Sequence, residues 1–339
     1  RVGSTYRARV RHIDSSGRGS HWSDPLEFTP GEPNVTPWLQ NLMITEIMYH
    51  PLDASPAEIA EGYSTSDFEY LELKNISDRM TLDLTELRFT KGVDFDFESG
   101  AITSLAPGAY VLIVNNKAAF ESRHGPGLPV AGEWQGGDKL ANGGENLKLS
   151  FGAGSAIHEF VYRDNQPWPD SPDGGGPSLV LIAPQTSPDH ADPFSWRPSI
   201  VIGGTPGGND ETTFSGDPDA DDDNDGTSAF LEYFLGTSDL IPNFDGLPEI
   251  GTGLFDDGTG TFRSYPTFTF QINLAAADVT YEIQQSTDLI AGTWTSASAA
   301  SFVSTTDNGD GTATVVWRGT TPVSDLPREF LRLLVQKRP

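Results

Sequence analysis

A short acidic stretch carries the clearest chemistry in this chain. Aspartates occupy every second position from Asp217 to Asp225, and Glu232 follows them. This spacing matches a twelve-residue loop pattern that surrounds Ca²⁺ with carboxylate and carbonyl oxygens, with a glycine at the sharp turn. Because like charges this close repel one another, a compact loop requires a bound cation. The predicted calcium ligands are Asp221, Asp223, Asp225, Thr227 and Glu232, with Asp217 and Asp219 as additional ligands.

The segment after this loop predicts the element that positions its last ligand. Residues 230–236 read FLEYFLG, which is typical of one or two helical turns ended by a glycine. The whole block resembles the calcium repeats of thrombospondin type 3 and dockerin modules. Ser228 departs from the EF-hand habit of an apolar residue at loop position 8, and this favours a solitary structural site over a paired sensor. The competing interpretation is a solvated acidic linker.

Composition limits the class of protein. With 339 residues, 36 glycines, 25 prolines and 3 methionines, the chain predicts two or three domains built of short strands and turns. Cysteine is absent from the sequence, which excludes disulfides and thiolate metal sites. The net charge of −27 argues against binding to nucleic acid or anionic lipid. No apolar run reaches the length of a membrane-spanning helix, so membrane insertion is not expected.

Alternating apolar residues predict strands along the first two thirds of the chain. Residues 1–30 predict a β-hairpin, and residues 31–41 a linker. Residues 42–208 predict a sandwich of about seven strands. Within it, ITEIMYHP and FEYLELKN alternate apolar and charged residues, as strands with one solvated face do. Ser55, Pro56 and Glu58 predict the start of a short helix.

The order of four motifs points to a family. They are ITEIMY with Pro51, EYLELKN at 69–75, LAPGAY at 105–110 and LANGGENLKL at 140–149. Together they resemble the lamin tail domain, and the resemblance implies an immunoglobulin-like sandwich of exported bacterial proteins. The N-terminal hairpin resembles the end of a fibronectin type III domain. That second likeness implies further strands from an upstream part of the same polypeptide or from another chain.

The last part of the chain, residues 209–339, also predicts strands, so the whole sequence predicts an all-β fold. Residues 209–240 form the acidic calcium-binding linker with its short helix, and residues 241–339 predict a second antiparallel sandwich. Asn308 to Gly311, reading NGDG, is a strong hairpin signal there. This last block is similar to C-terminal modules of exported bacterial proteins.

Known catalytic patterns are missing from the sequence. It contains no HExxH, no GxSxG and no phosphate-binding loop motif. Carboxylate pairs such as Glu69 with Glu72, or Asp94 with Asp96, arise easily in so acidic a chain and are weak candidates for acid–base chemistry. Trp134, Trp168 and Trp196 lie in loops rich in glycine and proline. Indoles there either stack on a sugar ring or anchor the loops to the core.

These observations predict a non-catalytic structural or adhesive region of an extracellular or cell-surface bacterial protein. In this interpretation Ca²⁺ stiffens the linker between two sandwiches, and chelation loosens that linker while both sandwiches stay folded. The partner is an unidentified protein or polysaccharide. The alternative is an accessory carbohydrate-binding region of a secreted degradative enzyme, or of a spore-coat-kinase-like protein, whose catalytic domain lies upstream.

Overall fold

The computed structural model describes residues 4–29, 31, 33–242, 246–290, 293–298, 301–325 and 328–338. Two sandwiches of mainly antiparallel strands follow a small N-terminal hairpin, and the helices in the described ranges are few and short. This confirms the predicted all-β class. Parts of the predicted segments 1–30, 31–41 and 241–339 lie outside the described residues.

The N-terminal hairpin pairs β1 (Tyr6–Ala8) with β2 (Leu26–Phe28) in antiparallel register. Tyr6 lies opposite Phe28, and their rings stack with centroids 5.8 Å apart. Every residue of both strands is exposed, so the hairpin contributes no core of its own.

The first sandwich contains more strands than the seven predicted, because several are too short to show a period. Its elements are α1 (Thr36–Asn41), β3 (Leu42–Met48), α2 (Pro56–Ala60), β4 (Tyr70–Asn75), β5 (Leu82–Asp83), β6 (Leu87–Lys91), β7 (Phe95–Asp96), β8 (Ser104–Leu105), β9 (Tyr110–Val114), α3 (Lys117–His124), β10 (Val130–Glu133), β11 (Asn146–Phe151), β12 (Ser155–Val161), β13 (Leu179–Leu181) and β14 (Trp196–Pro198). One sheet has the order β10-β9-β4-β3-β13-β14, and the facing sheet has the order β12-β11-β6-β7. The β9–β10 pair is parallel, whereas the other pairs are antiparallel.

Two helical segments show how local sequence starts and anchors an element. Helix α2 begins with the predicted cap: the Ser55 hydroxyl accepts from the Glu58 N–H, and the Glu58 carboxylate accepts from the Ser55 N–H at 2.7 Å. Helix α1 lies within the predicted linker 31–41, yet it packs on the sandwich. Trp38 donates its indole N–H to the Asp83 carbonyl oxygen at 2.7 Å and contacts Phe151. That part of the linker therefore belongs to the first sandwich.

Strands β3 and β4 are buried on both faces, so the prediction of one solvated face is wrong. One face contributes to the core between the two sheets, which includes Ile44, Ile47 and Leu71. The other face carries Met48 and Tyr70, which pack beneath α3 in a second apolar cluster. A helix and a returning segment of chain cover the face whose charged residues suggested contact with water.

The C-terminal sandwich contains α4 (Ala229–Leu235), β15 (Glu249–Asp256), β16 (Phe262–Asn273), β17 (Val279–Ser286), β18 (Thr295–Ser296), β19 (Phe302–Asp307), β20 (Thr312–Arg318) and β21 (Phe330–Lys337). Its sheets have the orders β15-β16-β20-β19 and β18-β17-β21. The NGDG segment joins β19 to β20 as predicted, with Gly309 and Gly311 at φ of 77° and 87°.

Two adjacent residues anchor the chain to different sandwiches. The Glu211 carboxylate accepts from the Ala183 N–H of the first sandwich at 3.0 Å. The next residue, Thr212, donates its N–H to the Ala275 carbonyl oxygen of the second sandwich at 2.8 Å. The joint between the sandwiches, residues 211–212, is therefore bonded to the first sandwich on one side and to the second on the other.

A second set of contacts links the two sandwiches away from this joint. The Gln166 side-chain amide bonds to the backbone of Thr305 in both directions, at 2.7 and 3.3 Å. The rings of Phe194 and Phe302 meet edge to face, with centroids 5.1 Å apart. Within the described ranges, no helix combines the length and apolar character needed to cross a membrane.

Candidate metal centre

Three of the predicted ligands converge. One carboxylate oxygen each from Asp221, Asp223 and Asp225 lies within 4.8 Å of the other two. Two oxygens bound to the same Ca²⁺ at about 2.4 Å are at most about 4.8 Å apart. The three side chains therefore already have the separation that one shared cation requires.

The backbone of the loop brings these carboxylates together. The Asp225 N–H donates to Asp221 Oδ1 and to Asp223 Oδ1, both at 3.1 Å, and the Gly226 N–H donates to Asp221 Oδ2 at 3.2 Å. Asn224 and Gly226 have φ values of 62° and 94°, in the left-handed region that asparagine and glycine tolerate best. These two residues turn the chain back on itself and aim the aspartates at one point.

One oxygen of the cluster has no protein partner to compensate its burial. Asp223 Oδ2 is buried and forms no hydrogen bond within the described residues. Burial raises the pKa of Asp223, and the charges of Asp225, Asp221 and Asp239 raise it further. A bound cation would satisfy this oxygen and offset the repulsion. The residues present therefore fit a hard divalent cation.

Helix α4 holds the last predicted ligand at the base of the loop. Glu232 is 1 % exposed, and its carboxylate accepts from the Thr237 hydroxyl at 3.1 Å. Burial raises its pKa, and so do the nearby charges of Asp223 and Asp225. Glu232 stands outside the group of three oxygens, but it is close enough to interact with their charges.

The remaining predicted ligands are placed differently. Thr227 is buried and donates its N–H to Asp225 Oδ1 at 2.8 Å. Asp217 and Asp219 are exposed and stand outside the group of three, and their role as additional ligands stays a prediction. Asp219 instead donates its N–H to the side chain of Asp217, which forms an ordinary turn. The alternating aspartates extend back to Asp217 in the sequence, but the converged group contains only those at 221, 223 and 225.

Asp239 is an acidic neighbour that the loop pattern does not include. It accepts from the Asp222 N–H at 3.3 Å, and its charge contributes to the raised pKa values of both Asp223 and Glu232. The twelve-residue pattern ends before it. Only the fold of the chain after α4 brings Asp239 back to the loop.

Helix α4 is part of the C-terminal core and not of an independent linker. Phe234 and Leu235 are buried among the strands of that sandwich. The Leu235 and Tyr233 carbonyl oxygens accept from the side-chain amides of Gln271 and Asn273 at 2.9 and 3.0 Å. The helix ends at Gly236, as predicted, with φ at 75°. The predicted segment 209–240 is thus divided between the joint, the loop and this core helix.

The three loop tryptophans anchor the first sandwich. Trp134, Trp168 and Trp196 are 5, 4 and 3 % exposed and belong to its main core. The indole N–H of Trp134 donates to the Asp138 carbonyl oxygen, and that of Trp196 to the His190 carbonyl oxygen. Buried at this level, they offer no ring face to a sugar. Their interpretation as ligand-binding aromatics is replaced by the core interpretation.

Glu69 and Glu72, one of the two carboxylate pairs suggested by sequence spacing, bond to different partners. Glu72 lies on β4, whereas Glu69 precedes that strand and caps the turn before it. Glu69 Oε2 accepts from the Leu140 N–H at 2.8 Å. Glu72 faces Glu46 of the neighbouring strand instead. The sequence did not indicate this pair, because its members come from different strands.

Two of the histidines have structural roles. The rings of His158 and His190 contact each other at a tilt of 45° with centroids 4.3 Å apart, and each bonds to a backbone carbonyl oxygen of β3. Burial lowers the pKa of both, and the pKa of His190 falls to about 3. Both rings are therefore neutral and satisfied at physiological pH.

Comparison with known proteins provides no relative on which to base an assignment. Protein-family models, curated protein sequences and solved structures were all searched, and none matches this chain.

Proposed function

We propose that this chain is a non-catalytic structural or adhesive region of an exported or cell-surface bacterial protein. In this role Ca²⁺ bound by residues 221–232 secures the C-terminal sandwich and its joint to the first sandwich. The observation that carries the proposal is the convergence of three aspartate oxygens within 4.8 Å, beside a buried glutamate on a core helix. We also propose that the first sandwich is a lamin-tail-like domain, as its sequence motifs suggest.

The joint supports a structural role. Glu211 is bonded to the first sandwich, and Thr212 to the second. Just beyond them, the Phe214 N–H donates to the Asp278 carboxylate at 2.9 Å, and the Tyr233 hydroxyl of α4 donates to the same carboxylate at 2.9 Å. The joint and the helix that carries Glu232 therefore share one anchor. Ordering the loop would restrain the joint through this anchor.

Ca²⁺ would contribute by compensating charge. Asp221, Asp223 and Asp225 would supply oxygens to the ion, and Glu232 would add its charge from the helix. The cation offsets the mutual repulsion of these groups, which otherwise opposes a compact loop. Calcium is abundant outside cells, which agrees with a surface location.

Calcium is expected to stabilise the C-terminal sandwich in particular. A ligand that binds only the folded state adds about 2.7 kcal/mol when its free concentration is 100 times its dissociation constant. Chelation should therefore lower the midpoint of thermal unfolding and reduce hydrogen-exchange protection in residues 217–237. Residues 42–198 should keep their protection. Calorimetry and hydrogen exchange with and without chelator measure both effects.

Two matched variants locate the ion. Asp223→Asn removes a carboxylate of the converged group, whereas Asp219→Asn removes an exposed one outside it. We expect the first variant to lose most of the calcium-dependent stabilisation and the second to behave like the wild type. Equal losses in both variants would mean a diffuse acidic segment, and no calcium dependence in the wild type would refute the proposal.

A further inference from the structure

A pair of buried glutamates lies on the outer face of the larger sheet, far from the calcium loop in sequence. Glu46 of β3 and Glu72 of β4 occupy directly opposed positions, and each is 2 % exposed. Opposed residues on neighbouring antiparallel strands are close in space, and like charges there are destabilising. Two carboxylates in this position need an explanation.

Both carboxylates hold the same returning segment, residues 203–208, which we call the strap. Glu46 Oε1 accepts from the Thr205 N–H at 3.0 Å, and Glu72 Oε2 accepts from the Gly207 N–H at 2.6 Å. Three hydroxyl groups also donate hydrogen bonds to the two carboxylates. Tyr70 and Ser178 donate to Glu46 at 2.6 and 2.5 Å, and Thr45 donates to Glu72 at 2.6 Å.

The strap lies tightly against these groups. Gly204 has φ at 80°, and a Cβ atom there would overlap the Tyr70 hydroxyl and the Glu46 carboxylate. The Tyr70 hydroxyl also lies 3.1 Å from the Gly203 carbonyl oxygen. The backbone itself therefore covers the pair.

Neighbouring charges do not neutralise the pair. The titratable or charged groups that face it from the surrounding elements are Tyr70, Lys74, Tyr110, His124, Arg197, Asp210 and Glu211. Arg197 is engaged by Asp210, and Lys74, which donates to the Tyr110 hydroxyl at 2.7 Å, lowers the pKa of Glu72 by less than burial and Glu46 raise it. Burial lowers the pKa of His124 to about 4, so its ring is neutral.

The pair must therefore retain a proton to stay buried. Burial, and then the charge of Glu46, raise the pKa of Glu72 from 4.5 to about 8. Burial likewise raises the pKa of Glu46. In the unfolded chain both groups ionise near 4.5, and lifting the strap moves their pKa towards that value by exposing them to water, so the closed state binds more protons than the open state over this pH range. Its stability is complete in acid and falls as the pH rises towards 8.

We infer that Glu46 and Glu72 form a proton-dependent latch that holds the strap closed over the outer face of the larger sheet. While one of the two carboxyls carries a proton, the strap stays bonded to both. When that proton leaves to solvent, two like charges face each other and the strap lifts. Asp210, two residues beyond the strap, keeps its buried ion pair with Arg197, so the release is confined to the strap.

Hydrogen exchange of the full chain in calcium buffer tests the latch. We expect the protection of the Thr205 and Gly207 amides to fall by about tenfold per pH unit between about pH 5 and pH 8, and to level off above pH 8. Rates are corrected for the intrinsic pH dependence of exchange. Core amides such as that of Leu71 provide the internal reference for global unfolding.

Glu72→Gln and Glu69→Gln are matched variants. Both glutamates are 2 % exposed, and burial raises the pKa of each to about 8, but only Glu72 contacts the strap. Glu72→Gln keeps an acceptor for Gly207 and should remove most of the slope at the strap. Glu69→Gln should leave that slope unchanged. A wild-type slope in Glu72→Gln, or its loss in Glu69→Gln, would overturn the inference.

A measurement on the wild type covers the case in which Glu72→Gln does not fold. Carbon NMR of glutamate-labelled protein should show a carboxyl resonance with a titration midpoint above pH 6. The backbone resonances of the strap should shift with the same midpoint. If all glutamate carboxyls other than Glu69 titrate below pH 5.5, the latch does not exist.

Discussion

Replacing Arg197 with methionine is expected to lower the free energy of unfolding of the first sandwich by about 3–5 kcal/mol. Arg197 is 4 % exposed, and its Nη1 donates to Asp210 Oδ2 at 2.9 Å, while its Nη2 donates to the Asp210 carbonyl oxygen. Methionine keeps much of the side-chain volume. The loss therefore comes mainly from leaving the Asp210 charge buried without its counter-ion, and urea unfolding near pH 7 measures it.

Two controls separate this ion pair from a general effect of charge. Arg79→Met removes an exposed arginine that pairs with Asp78 at the surface, and it should change stability negligibly. Adding Asp210→Asn to Arg197→Met should recover part of the loss, because the unpaired charge is then removed as well. If Arg197→Met is no more harmful than Arg79→Met, the buried pair is not formed in solution.

Phe234→Ala is expected to cost the C-terminal sandwich about 3–5 kcal/mol, since it leaves a cavity in a packed core. Phe234 is 4 % exposed and lies between Phe270 and Tyr281, with ring centroids 6.3 and 5.6 Å away. Because Glu232 lies on the same helix, the proposed calcium binding should weaken as well. Hydrogen exchange resolves the two sandwiches, and calorimetric titration measures the affinity.

Phe230→Ala is the control for this effect. Phe230 lies on the same helix but is only half-buried, and its ring meets Phe214 at 5.2 Å. We expect a smaller loss of stability and a smaller change in calcium affinity. An equal loss of protection in both sandwiches of Phe234→Ala would contradict the assignment of α4 to the C-terminal core.

Features that depend on a few neighbouring residues were predictable from the sequence. The cap at Ser55 and Glu58, the glycine that ends α4 and the NGDG hairpin all appear where the pattern places them. The loop aspartates at 221, 223 and 225 likewise converge, because short-range backbone geometry aims them at one point. In each case the interacting atoms are separated by at most a dozen residues of chain.

Burial of charged strand faces was not predictable in this way. Alternating apolar and charged residues in β3 and β4 indicate one dry face and one wet face. The pattern describes each strand alone, and it carries no information about which later segment will cover the second face. Residues 203–208 return to cover Glu46 and Glu72 from more than a hundred positions away in the chain.

The sequence by itself determined the class of fold, the acidic loop and the local signals that start and end elements. Only the tertiary structure decided that the three tryptophans are buried, that Asp239 accepts a hydrogen bond from the loop and that Asp217 and Asp219 lie exposed outside the converged group. It also placed α4 in the C-terminal core. The physical reason is that burial and electrostatic neighbours depend on contacts between distant segments, whereas turns, caps and loop geometry depend on adjacent residues.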